Sequence, residues 1–125
     1  MLDQGVAPLY AIKADLFKGL AHPLRIRVLE VLAAAPDYQC GVSDLLAATG
    51  LEASHLSQHL ATLRRHRVVV SSRTGSAVTY RLAHPKVAEL LAIARVFLHD
   101  TLADSTAALE AVEMLPAVPS ERDGV

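Results

Sequence analysis

Between Leu9 and Leu102 the spacing of apolar residues changes repeatedly, and each change marks an element. Leu9, Ile12, Leu16, Phe17 and Leu20 recur at helical intervals, which predicts an amphipathic helix over 9–21. His22-Pro23 interrupts it. Pro23 suits the first position of a second helix, where a backbone N–H would have no partner. Leu24, Val28, Leu29, Val31 and Leu32 carry that helix, which stops before Pro36, and 37–41 reads as a loop or a short edge strand. Val42–Thr49 is a short helix with Leu45 and Leu46 turned inward and Ser43 or Gly41 near its N-cap. Gly50 ends it by taking the left-handed conformation. Over Ala53–His66, Leu56, Leu60 and Leu63 repeat at intervals of four and three and form one core stripe. Two β-rich runs follow, Val68–Ser72 and Ala77–Leu82, split by the tip Arg73-Thr74-Gly75-Ser76, in which Gly75 supplies a positive φ. A last helix runs from about Pro85 to about Met114, with Val87, Leu90, Leu91, Ala94, Phe97, Leu98 and Leu102 as a nearly continuous apolar stripe.

Helix, turn, helix, hairpin is the order of a winged helix-turn-helix, mainly α with a small β-hairpin wing (α+β). That motif lays its second helix in the major groove of DNA. The face of Ala53–His66 opposite the leucines carries Ser54, His55, Gln58, Thr62 and Arg65, a short polar surface rich in donors, as reading base edges requires. Arg73 at the wing tip suits a phosphate or minor-groove contact. The expected organisation is an N-terminal arm over 1–8, one domain over 9–114 and a flexible tail over 115–125.

Charge sharpens this picture. The net charge of the 125 residues is −1, yet residues 51–83 hold Arg64, Arg65, Arg67, Arg73 and Arg81 against Glu52 alone. Residues 84–125 hold Lys86, Arg95 and Arg122 against seven acids. An anionic partner would meet the helix-turn-helix and wing and be repelled by the C-terminal part. The alternative is a solvated basic face. Apolar residues make up 52% of the chain, too many for disorder, and aromatics only 4%, so the core is aliphatic. No apolar run reaches the ~18 residues of a membrane span. MLDQGVAPLY lacks the basic-then-apolar order of a secretory signal. A single cysteine cannot form an intrachain disulfide, so a cytoplasmic location is expected. The apolar first and last helices are expected to pack on a second copy of the chain. A symmetric dimer would present two such motifs to two half-sites. The last helix folding back on its own monomer is the alternative.

Together these segments resemble the ArsR/SmtB family of bacterial transcription repressors over roughly residues 9–104. LFKGLAHPLRIRVLEVL is similar to the family's opening signature, a helix ending at an Ala-x-Pro-x-Arg turn. VSDLLAATGLEASHLSQHLATLRRHRVV resembles its helix-turn-helix, with Ser57-Gln58-His59-Leu60 at the core, and GSAVTYRL the second strand of its wing. The resemblance implies a homodimer built by the first and last helices. It implies repression through an inverted-repeat operator, with release by an inducer, most often a metal ion. It carries base contact to Ser54, His55, Ser57 and Gln58, with Thr62 and Arg65 further along the same face.

The family's two well-known metal positions can be tested residue by residue. One pairs two cysteines, Cys-x-Cys, just before an Asp. Here the stretch is Cys40-Gly41-Val42-Ser43-Asp44, with one thiol where a soft ion wants two or three. Cys40 then reads as a small, partly buried apolar residue, with a reactive thiol or an intersubunit link as the alternatives. The other position lies on the last helix and corresponds to His84, Lys86, Phe97 and Asp100. Lys86 and Phe97 cannot ligate, so the standard site is broken. A rearranged zinc or nickel site would use His84 from one helix with His99, Asp100 or Asp104 from the other. Otherwise His84 caps the helix start and His99 and Asp100 are solvated.

The leading expectation is therefore a dimeric, DNA-binding repressor released by a metal ion or another small ligand. The alternatives are a ligand-independent or thiol-responsive repressor of the same fold, or a winged-helix interaction module that does not touch DNA. No glycine-rich phosphate loop, nucleophile elbow or paired acids in a cleft suggests an enzyme.

Overall fold

The computed structural model describes residues 6–113. The order is α1 (Val6–Leu20), α2 (Pro23–Ala34), a tight turn at Pro36–Tyr38, β1 (Gln39–Gly41), α3 (Val42–Thr49), α4 (Ala53–Arg65), β2 (Val69–Thr74), β3 (Ala77–Leu82) and α5 (Pro85–Glu113). α1 begins three residues before its expected start. The rest of the expected arm, and the expected tail over 115–125, lie outside the described residues. The chain divides into two units, residues 1–89 and 90–125.

In the first unit several helix ends are fixed by local devices. His22 is the N-cap of α2, and its Nδ1 accepts from the backbone N–H of Leu24 at 3.0 Å, with Pro23 in the first turn. Arg25 reaches back from α2 and donates to the last carbonyls of α1, Gly19 at 2.6 Å and Lys18 at 3.3 Å. A cation thus sits where the α1 dipole is negative. Gly50 ends α3 at φ 70°, its N–H bonded to Leu46 O. Thr49 is buried but satisfied, since its hydroxyl donates to Leu45 O at 2.7 Å and accepts from Leu51 N–H.

The core is aliphatic, as the composition requires. Val28, Leu29 and Leu32 of α2, Leu45 of α3, Leu56, Leu60 and Leu63 of α4, Val68, Val69 and Leu82 are all buried. The sheet has three strands in the order β1-β3-β2, all antiparallel. The stretch expected to be a loop or an edge strand is an edge strand, with Cys40 opposite Tyr80.

The wing tip is shorter than expected. Arg73 pairs with Val78 and Thr74 with Ala77, so only Gly75 and Ser76 form the turn. Gly75 has φ 64° and Ser76 is not among the positive-φ residues, which is the pattern of a type II′ hairpin turn. A two-residue turn matches the twist of the strands, and the ladder therefore extends through Arg73 and Thr74. Arg73 is a strand residue two positions from the turn rather than part of it.

In the second unit, every residue of α5 from Ala92 to Leu102 is exposed, including Ile93, Val96, Phe97, Leu98 and Leu102. Ile93 and Val96 widen the apolar stripe read from the sequence. Among the described residues no helix is long and apolar enough to cross a membrane.

Candidate nucleic-acid interface

The candidate recognition surface follows from how α4 is seated. Leu56, Leu60 and Leu63 turn one side of the helix into the core, so the opposite side must face solvent. Ser54, His55, Ser57, Gln58 and Arg65 are all exposed there. Thr62 is half-buried, on the same flank as His66, and is the least accessible of the predicted contacts. His55 also lies 3.8 Å from the carboxylate of Glu52, the N-cap residue of α4. The wing is tied to the helix by Arg64, whose guanidinium donates to the Ser71 hydroxyl at 3.4 Å. Arg64 is thus a strut, and Arg73 on the same strand projects an exposed cation beyond it.

On the flank of α4 away from the wing, the spacing marks His59 as a packing residue at the edge of the core stripe but does not reveal the partners there. His59 packs its ring against that of His22, with centroids 4.5 Å apart and planes tilted by 50°. His66, the C-cap of α4, pairs with Asp15 of α1 at 2.9 Å, and its side chain is only 12% exposed. Gly19 makes this approach possible: a Cβ there would lie 2.5 Å from His66 Cγ. Two histidines thus fix the angle of the recognition helix, one against the start of α2 and one against α1.

Burial holds the His59 imidazole below its ordinary pKa, helped by the nearby His22, Arg25 and His55. His59 is therefore neutral in the fold, while in the unfolded chain it takes a proton near pH ~6.5. Its contribution to stability is present above that pH and is lost as the pH falls through it, until the folded residue also titrates. Urea titrations at pH 7.5 and pH 5.5 should show a smaller acid loss for His59→Gln than for the parent. Equal losses would remove His59 from this role.

The expected sensing residues lie as follows. Cys40 is half-buried on β1, and burial, with a lesser push from Asp44, raises its thiol above the ordinary value. Burial thus disfavours its thiolate, the nucleophilic form. His84 Nδ1 accepts from the Lys86 N–H at 3.0 Å at the start of α5, and Lys86 Nζ pairs with Glu89. His99 and Asp100 are adjacent and exposed, 3.5 Å apart. Among the described residues no group of three or more His, Cys, Asp or Glu side chains is placed to hold a metal ion. The residues present do not fit the family's four-ligand centre, since Lys86 and Phe97 occupy two of its positions.

Comparison with known proteins agrees with this geometry. The profile "Bacterial regulatory protein, arsR family" matches residues 22–71, from the cap of α2 into β2. The uncharacterized HTH-type transcriptional regulator Rv0081 of Mycobacterium tuberculosis is 50% identical over 104 residues, covering 82% of this chain and 89% of its own. The chain belongs to the arsR family. Its fold is correspondingly close to solved members. The crystal structure of M. tuberculosis Rv0081 superposes with a TM-score of 0.71 at 49% identity, covering 79% of this chain and 97% of that one. The solution structure of Mb0332 from Mycobacterium bovis, described as a homodimeric winged helix-turn-helix DNA-binding domain, gives 0.73 at 29% identity and covers 81% and 91%. This arsR-family chain is a transcription regulator of the DNA-binding, winged helix-turn-helix type.

Proposed function

We propose that the chain represses transcription as a homodimer on an inverted-repeat operator, with α4 in the major groove and the wing on the flanking backbone. One observation carries the reading. The exposed side of α4 is polar and donor-rich, and the only acid in residues 51–83 is Glu52 at its N-terminus. Gln58, near the middle of that side, suits bidentate contact with adenine, and Ser54 and Ser57 suit either base-edge donors or acceptors. Arg73 and Arg65 suit phosphates, which fix register but carry no sequence information.

A second copy is the proposed cover for the exposed apolar faces. Leu9, Tyr10 and Phe17 on α1, and Ile93, Val96 and Phe97 on α5, are more than half exposed. Several large apolar side chains in water on one helix face mark an interaction surface. The homodimeric M. bovis neighbour supports a second chain as the occupant. A DNA partner fits the cytoplasmic location expected from the single cysteine. The reading invokes no metal step, and the half-burial of Cys40, which disfavours a reactive thiolate, weighs against the thiol-responsive alternative.

Two substitutions test the docking by fluorescence anisotropy on labelled duplexes. Gln58→Ala should relax discrimination at one base pair, at a cost of ~1–3 kcal/mol on the preferred sequence. Arg73→Ala should weaken all sequences about equally and lower the salt slope by about one phosphate's worth. If both variants bind every duplex as the parent does, α4 and the wing are not the contact surface, and the interaction-module reading replaces this one.

A further inference from the structure

The junction between α1 and the end of α4 is a cleft of about 640 Å³, within the size range of small-molecule sites. Its floor is apolar, made by Ala11, Ile12 and Leu16 of α1. Its rim is cationic, made by Arg65 and Arg67. Between floor and rim lies the Asp15–His66 pair, so the carboxylate of Asp15 is already engaged by His66 at 2.9 Å. Among the described residues, the guanidinium of neither Arg65 nor Arg67 makes a hydrogen bond or an ion pair within the chain. Two free guanidinium forks above an apolar floor fit a carboxylate with a hydrocarbon body, because the planar fork binds a carboxylate through two parallel hydrogen bonds. A DNA phosphate fits less well, because it has no hydrocarbon body to lay on the apolar floor.

We propose that this cleft binds a small organic carboxylate with an apolar tail, and that its occupancy weakens DNA binding. The second half rests on the repressor reading above. Arg65 lies on the recognition face and on the rim of the cleft, so its charge serves either a phosphate or the carboxylate. The coupling is reciprocal: the carboxylate lowers affinity for DNA by the same factor by which DNA lowers affinity for the carboxylate. The cleft also shares Ile12 with the exposed face of α1, so a bound tail touches the element that the proposed dimer uses.

The test is calorimetric titration of the full chain with hexanoate, octanoate and decanoate below their micellar concentrations, with octanol as the uncharged control. At least one acid should bind with a dissociation constant on the order of 1 mM or tighter, improving with tail length, and octanol should bind far more weakly. Arg67→Gln should weaken the acid at least about tenfold. Arg67→Lys keeps the charge but loses the fork, and should weaken it less. Circular dichroism checks that both variants fold, and Arg67→Lys carries the comparison alone if Arg67→Gln does not. The bound acid should also raise the concentration of chain needed to hold a labelled duplex, an effect absent in the Arg67 variant that no longer binds it.

The proposal is overturned if no acid binds, if octanol binds equally well, or if the Arg67 variants lose affinity for DNA while keeping the acid. Because the calorimetry contains no DNA, acid binding by a chain that binds no duplex would retain the site and remove only the repressor reading. Duplex binding without acid binding would do the reverse.

Discussion

Phe97→Glu is expected to convert the protein to a monomer and to weaken operator binding by ~10²–10⁴. Phe97 is 66% exposed on α5, beside Ile93 and Val96, so the substitution removes little from the core of its own chain. In the proposed dimer the same position is covered, and a carboxylate there would be buried without a partner, which is strongly unfavourable. The loss on DNA follows from linkage. A dimer that has docked one recognition helix presents the other at high effective concentration to the second half-site, and a monomer forfeits that gain. Light scattering should show the halved mass, and anisotropy the weaker binding, with the far-ultraviolet circular dichroism unchanged. A variant that remains dimeric would place the second copy elsewhere.

Leu63→Ala is expected to cost ~2–5 kcal/mol of folding stability, a large share of the ~5–15 kcal/mol of an ordinary domain. Leu63 is fully buried, and its carbonyl accepts from the Val68 N–H at 3.0 Å, where the chain leaves α4 for the wing. The cavity would therefore lie at the joint between α4 and the wing, the two elements of the proposed DNA interface. Urea denaturation should show the lower midpoint with little change in slope. A loss below about 1 kcal/mol would mean that the joint collapses to fill the space.

How far the sequence revealed these features depends on whether a neighbour or a distant segment sets them. α3 and α4 match their expected bounds to within a residue, because Gly50 can only end a helix there and the Leu56, Leu60, Leu63 spacing admits one period. The exposed side of α4 follows from the same spacing. Thr62 shows the limit of that inference, since its partial burial depends on the flank that α1 and α2 approach. The two β-rich runs leave four residues between them, yet the end of a run does not distinguish the end of an exposed ladder from a turn. The Asp15–His66 pair spans 51 positions and the His22–His59 contact joins two helices, so no local pattern announces either. Gly19 was the one available clue, a helical glycine of low propensity whose reason is the close approach of His66. In the sequence Arg67 stands out only as part of a basic segment. Its left-handed backbone at φ 64° and its place on the rim of a cleft are tertiary facts.

The most direct test of the account is the salt dependence of binding to a labelled duplex from the gene's own upstream region, measured against a scrambled duplex of equal length. The account predicts preference for the upstream duplex, one dimer per site, and an association constant that falls steeply with salt, with a logarithmic slope of about −0.9 per phosphate neutralised. Equal affinity for both duplexes at every salt concentration, or binding that ignores salt, would contradict it.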